Sequence, residues 1–480
     1  MGARAAITAE LAWWRADRWR GLLGALLLVK LGIEAVNAWS FNGQTYDQAH
    51  HLWRAYGAGL VVDKMAYDPP LYYLPMLGWI GAAGAGLVHA PESTADDAGV
   101  LTLLRLTNVA WSTAFFVAWI RGVLPRLLPD RTAWFVASVT LLAIPGYQKL
   151  AAMVHADNAF AALSGVVFWA WLTLREREAT SIRSLAAYAA AVGLLGLTRP
   201  FAVVPVFLFW LGGLGLARRG ATPGGFARRA ALISVISGGL AGSWHAYRAF
   251  SADAVLQAYD DDYVARYQVH RDEFNFASYF TTFSPRQLIQ SPGRQIAEVD
   301  SRHRKKWWTN RYTNSFFTIL YSEVWGDHWL YFSGPWRHDQ KVQAKRISFI
   351  AAGPLTFGLL FRGVAGAWGV AWEAGQRWRR RERQSPEAVV LVWFLLGAAL
   401  YLWWQTGPAL LPGKNSTIKF IYNATLVPLA VVLATRGRLR PGWLWVSAVL
   451  LAWVGALGVA AFDPTIGDAP LAPTDALDAR

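Results

Sequence analysis

The feature that most narrows what this chain can become is a succession of apolar runs joined by connections in which arginine is concentrated. The runs fall at roughly 21–41, 70–88, 101–121, 132–148, 156–174, 185–197, 200–217, 226–247, 346–370, 386–404, 418–435 and 442–462. Most approach the ~20 apolar residues needed to cross a hydrocarbon layer. Backbone groups in lipid must be satisfied within their own segment, so every run is read as helix. Hydrophobic residues make up 54% of the 480 and charged residues 16%, a composition that argues against a water-soluble globule. The expected fold is an all-α polytopic membrane protein of about 11–12 membrane helices.

A net charge of +15 invites a nucleic-acid partner. The excess arginine, however, is spread over loops such as RWRRRERQ at 377–384 rather than gathered on one folded face, so it reads as an orientation signal and no nucleic acid is expected. Cysteine is absent, which removes disulfides, thiolate metal sites and a cysteine nucleophile together. The first run continues past Lys30 and Glu34 to Phe41 and is read as a retained anchor. Ionisable groups one turn apart inside a span are costly and tend to pair, so Lys30 and Glu34 are expected as an internal ion pair, with a site role for Glu34 as the alternative.

With the N-terminus cytoplasmic and the 70–88 run dipping in and returning, the basic loops at 121–131, 175–183, 218–229, 377–383 and 436–440 all fall inside. A full crossing by 70–88 would invert every later loop against that bias. The re-entrant or tilted arrangement is therefore expected. It leaves outside the 42–69 loop, the 149–158 connection, the 407–417 loop and the C-terminal tail. The polar 248–345 segment, also outside, is the one sizeable insertion, and loops of that length are usually functional. The expected organisation is an N-terminal transmembrane catalytic module at 1–247 and the extracytoplasmic insertion at 248–345. C-terminal helices at 346–462 and a tail at 463–480 follow.

Between the first two runs, TYDQAHHLWRAYG at 45–57 reads as an amphipathic helix on the outer surface. Ala49, Leu52, Trp53, Tyr56 and Leu60 share one side, and Asp47, His50, His51 and Arg54 take the other. That polar side either faces a cavity between spans or simply meets water. Asp47 with His50 or His51 also offers metal-ligand chemistry, although three candidates on one turn rarely meet one ion, and no metal site is assigned. Downstream, YDPPLYYLP at 67–75 carries paired prolines that stop a helix from continuing, and tyrosines suited to the headgroup level.

An acid in the first outer loop, followed by a proline pair and aromatics, resembles the GT-C glycosyltransferases, polytopic enzymes that include protein O-mannosyltransferases and lipid A aminoarabinose transferases. This chain has Asp68 where the family commonly has histidine before the prolines. LLRLTN at 103–108 resembles the family's next span, and MVHADNAFAAL at 153–163 resembles the segment where a second acid opens a span, which falls on Asp157. YSEVWGDHWLYFSG at 321–334 and STIKFIYNATLVPLAVV at 416–432 resemble a Trp-Gly-Asp segment and the late basic span, with Lys419 at the basic position.

The resemblance implies a polyprenyl-phosphate-linked sugar as donor. The acceptor would be a protein, a lipid or a cell-wall glycan, and the reaction an inverting transfer on the outer face of the membrane. Single displacement needs a base on the acceptor and positive charge on the departing phosphate. Asp47 is the expected base, with Asp157 as the second catalytic acid. Lys149, Arg199 and Lys419 are candidate phosphate partners near outer span ends, where reaching for water is the competing explanation. Arg105 is a further candidate. His155 either orients Asp157 or is a structural histidine. His50, His51, Asp68, Tyr72, Glu323 and Asp327 complete the candidate substrate contacts. Cofactor use, including a divalent metal, is not readable. A transporter or flippase, and a non-catalytic membrane subunit, are the rival classes, and the lack of a visible repeat argues against the first.

Overall fold

The computed structural model describes residues 8, 11–40, 70–75, 98–152, 154–177, 181–199, 202–251, 280–281, 283, 316–326, 339–406 and 423–437. Among them the regular structure is entirely helical. The helices are α1 (Arg18–Ser40), α2 (Ala98–Val117), α3 (Leu124–Leu127), α4 (Arg131–Ala143), α5 (Pro145–Ala152), α6 (Asp157–Glu176) and α7 (Ile182–Gly196). They continue with α8 (Val203–Ala217), α9 (Pro223–Ser251), α10 (Phe316–Trp325), α11 (Asp339–Arg379), α12 (Pro386–Thr406) and α13 (Leu426–Thr435). Among the described residues, five stretches are long and apolar enough to cross a membrane: Arg18–Trp39, Thr102–Leu127, Asp157–Glu176, Phe349–Arg379 and Pro386–Trp403. The chain is a multi-pass helical membrane protein.

Helix α6 forms the centre, because 72% of its apolar window is buried, against 28% for α1, 22% for the α11 stretch and 17% for the α12 stretch. The outer three present Leu28, Trp39, Phe361, Val364, Leu395 and Trp403 outward, as lipid-facing helices do. Around α6 an aromatic cluster closes the interior. Phe168 has its ring centroid 5.9 Å from Trp119, 5.6 Å from Phe209 and 5.8 Å from Trp393, so four elements converge on one side chain.

Two departures from a plain run of spans have local causes. The 132–148 run is two helices, α4 and α5, because Ile144 is extended (ψ 114°) before Pro145, where an α conformation would clash with the proline ring. Between α2 and α3 the chain widens into a π segment, Ala118–Val123. Its carbonyls find side-chain donors: Trp134 Nε1 donates to Ile120 O at 2.8 Å and Arg126 Nη1 to Gly122 O at 2.7 Å. That satisfaction is what irregular backbone at membrane depth requires.

The arginines of the connections come together at one end. Arg126 pairs with Glu176 at 2.8 Å, Arg219 donates to the carbonyls of Arg175 (2.5 Å) and Arg177 (3.1 Å), and Arg175 donates to that of Gln384. Glu373 on α11 takes Arg377 at 3.0 Å and also Arg436, at the end of α13. The start of α1 belongs to the same end, since Arg20 and Arg121 both lie over the Trp13 ring. There Asp17 caps α1 by accepting from the Trp19 and Arg20 amides at 3.0 Å, and the Arg20 amide holds its carboxyl below the usual range. This convergence agrees with the grouping of basic loops expected from the sequence.

At the opposite end Leu71 N donates to Leu197 O at 3.1 Å, beyond the end of α7, and Tyr72 donates to Asn108 Oδ1 at 2.8 Å. Asn108 is eighteen residues before Arg126, about 27 Å along a helix. Residues 70–75 therefore lie toward the end of α2 remote from the arginines. Residues 76–97 lie outside the described part.

Lys30 Nζ and Glu34 Oε1 are 3.2 Å apart inside α1 and both are buried, the internal ion pair expected. Close helix approach is set by glycine. A Cβ on Gly366 would fall onto the Leu433 carbonyl oxygen, so α11 and α13 meet backbone to backbone at that point. Gly366→Ala is expected to lower stability by about 1–3 kcal/mol, read as an earlier denaturant-induced unfolding midpoint in detergent.

Candidate functional site

The end remote from the arginines gathers buried ionisable and amide groups on the breaks between helices. The chain leaves α5 at Ala152 and enters α6 at Asp157, and this short connection carries His155. Asn158 fixes it by donating from Nδ2 to Leu150 O (2.9 Å) and His155 O (3.2 Å), which ties the start of α6 back onto α5. A second break, between α7 and α8, carries Arg199. Thr198 Oγ1 donates to Leu195 O at 2.6 Å and closes the end of α7, and the proline that follows Arg199 disfavours helical continuation.

These two breaks meet through one carboxylate. Arg199 reaches Asp157 with both arms, Nη2 to Oδ2 at 3.0 Å and Nε to Oδ1 at 3.3 Å. His155 Nδ1 lies 2.7 Å from the same Oδ2. His155, Asp157 and Arg199 are 1%, 2% and 7% exposed, so the charges interact with little solvent between them. The Asp157 amide also lies 3.3 Å from His155 Nδ1. The shorter contact favours an Nδ1–H donating to the carboxylate. Asp157 also sits in the first turn of α6, where the helix dipole favours negative charge.

Tyr72 joins this group through Asn108 and through the backbone of His155, and its ring packs edge-on against Tyr73 at 5.1 Å. A second buried pair lies at the same end. Lys149 Nζ on α5 donates to Glu323 Oε2 on α10 at 2.5 Å, with side chains 2% and 1% exposed. Arg105, on α2 one turn before Asn108, is also buried. Tyr147 donates to Ala424 O at 2.8 Å and so anchors α5 to the chain entering α13.

Of the residues singled out from sequence, Tyr72, His155, Asp157 and Arg199 are brought together. Lys149 and Glu323 form their own pair, so Lys149 and Arg199 each already hold a carboxylate. Asp47, His50, His51, Asp68, Asp327 and Lys419 lie outside the described residues. Asn108 and Asn158 were not singled out, although a buried amide beginning or lining an apolar run was a visible signal. Among the described residues no group of three or more His, Asp and Glu side chains is placed to hold a metal.

The fold and this buried polar centre define a helical membrane protein with a reactive-looking cluster at one end of the bundle. No family model matches the chain, and no curated protein matches it. Among solved structures, the chain is similar to ArnT from Cupriavidus metallidurans. One structure is bound to undecaprenyl phosphate and the other is in the apo state. Identity is 15% in both, covering 86% of this chain and 76% and 77% of the two structures, with TM-scores of 0.35 and 0.34.

Proposed function

We propose that this chain is a GT-C-type inverting glycosyltransferase that moves a sugar from a polyprenyl-phosphate donor to an acceptor at the end of the bundle remote from the arginine-rich loops. The observation that carries the reading is Asp157, buried at the start of the central helix and held by Arg199 and His155, in the segment that resembles the family's second acidic motif. Asp47 in the first loop is the base. It takes the proton of the acceptor hydroxyl as that oxygen attacks the anomeric carbon and the bond from that carbon to the phosphate oxygen breaks.

Polyprenyl phosphate leaves with the bonding pair, and cationic side chains compensate its charge. Arg199, Lys419, Lys149 and Arg105 are the candidates. For Arg199 and Lys149 the neighbouring acid sets how much positive charge the phosphate meets. Residues 1–247 form the catalytic module, and Glu323 and Asp327 of the 248–345 insertion are candidate acceptor contacts.

Membranes bearing the protein are expected to consume a radiolabelled polyprenyl-phosphate sugar and release polyprenyl phosphate. Movement of the label across the bilayer without consumption overturns the enzyme reading in favour of a transporter. Asp47→Asn is expected to reduce consumption by about 10²–10⁴-fold, the usual range for a removed general base. A variant retaining full rate removes Asp47 from the chemistry.

Orientation has its own test, made easy by a chain without cysteine. Ser93→Cys is expected to react with a membrane-impermeant maleimide on intact cells, and Ser181→Cys, on the exposed cap of α7, only after permeabilisation. The reverse pattern inverts the proposed topology.

A further inference from the structure

A cavity of about 670 Å³ opens at the arginine-rich end, between the α3–α4 connection and the facing sides of α11 and α13. Its walls are mixed. Leu127, Leu128, Ala133, Phe361 and Ala365 supply apolar surface, while Arg362 and Arg436 supply positive charge. Asp130 and Glu387 line it together with the arginines, so both signs of charge are present. The volume lies within the ~300–1,000 Å³ of small-molecule sites.

The two arginines are positioned by the fold and only partly used by it. Arg362 donates from Nε to Ala434 O at 2.9 Å and from Nη2 to Arg436 O at 3.4 Å, and Arg436 donates from Nη2 to Glu373. Among the described residues, Arg362 Nη1 and Arg436 Nε and Nη1 have no protein acceptor. The two acids of the lining have partners of their own: Asp130 accepts from the Thr132 amide at 2.9 Å, and Glu387 interacts with Arg175. The depth is also informative. Trp368 and Trp372 project outward from α11 just past the cavity, 73% and 63% exposed, which marks the headgroup level where tryptophan rings concentrate. A pocket combining apolar walls with unspent guanidinium donors at that level matches the two parts of an anionic lipid.

We propose that this cavity binds the phosphate headgroup of an anionic phospholipid from the leaflet at the arginine-rich end, with the first part of an acyl chain against Leu128 and Phe361. The site is separate from the Asp157 cluster, being at the other end of α6, and does not depend on the glycosyltransferase reading.

The test is native mass spectrometry of the full chain released from detergent with equal amounts of phosphatidylglycerol and phosphatidylcholine. One phosphatidylglycerol is expected to be retained preferentially. Arg362→Gln is expected to lower that preference about fivefold, the effect of one basic group near an anionic lipid. Arg362 also ties α11 to α13, so Gly369→Leu provides an independent variant: its Cβ would sit 3.5 Å from Arg436 Nη1, an ordinary contact, and the side chain fills the cavity with both arginines intact. It is expected to abolish the preference. Equal retention of the two lipids by the wild type, or unchanged preference in Gly369→Leu, overturns the proposal. Displacement of the bound lipid by an equal concentration of inorganic phosphate identifies a free-anion site and overturns the lipid assignment.

Discussion

Asp157→Asn is expected to lower sugar transfer by about 10³-fold while leaving the protein in the membrane, because the amide keeps the shape of the carboxylate and loses its charge. The same change leaves Arg199 buried beside a neutral group, and breaking a buried pair from one side costs about 3–5 kcal/mol. Stability and activity must therefore be read separately. In Asp157→Asn combined with Arg199→Gln, no uncompensated charge remains, and the unfolding midpoint is expected to return most of the way while transfer stays lost. Recovery of transfer in the double variant assigns the pair to structure alone. Removing the imidazole by His155→Ala is milder, since Arg199 still compensates the carboxylate through both oxygens.

The second large effect concerns Lys149 and Glu323, separated by 174 residues and joined at 2.5 Å. With both side chains at most 2% exposed, Glu323→Gln strands an ammonium in a site of low dielectric, and a loss of about 3–5 kcal/mol is expected in equilibrium unfolding by denaturant. Lys149→Met with Glu323→Leu is expected to be near neutral or more stable than the wild type, as apolar replacement of a whole buried pair often is. If the pair also meets the departing phosphate, that double variant keeps its fold and loses transfer rate. If it only holds α10 against α5, rate and fold survive together.

What the sequence conveyed was the order of the helices and the polarity of their ends. Run length and arginine placement are local properties, and they anticipated a helix over about 156–174 and the clustering of Arg126, Arg175, Arg219 and Arg436 at one end, whereas its start at Asp157 followed only from the family resemblance. Pro145 is a visible reason to split the 132–148 run, and the polar turn in PGYQ that it opens is a second. The pairings were not legible. Nothing local tells Arg199 to choose Asp157, 42 residues earlier, or Lys149 to choose Glu323. Each of those cations, read alone, looked available to a phosphate. The Lys30–Glu34 pair was legible because both partners lie on one helix a single turn apart, where period alone decides the contact.

The π segment at Ala118–Val123 gives the span that carries Arg105 and Asn108 one place where its length can change. Each residue in a helix advances the azimuth by about 100°. Deleting one residue from the π segment itself would let the chain close into α-helix at nearly the same azimuth, because a π turn holds about one residue more than an α turn, whereas deleting one from the α-helical part between it and Asn108 would swing Asn108 away from Tyr72. The extra residue held there is slack that the rest of the span lacks.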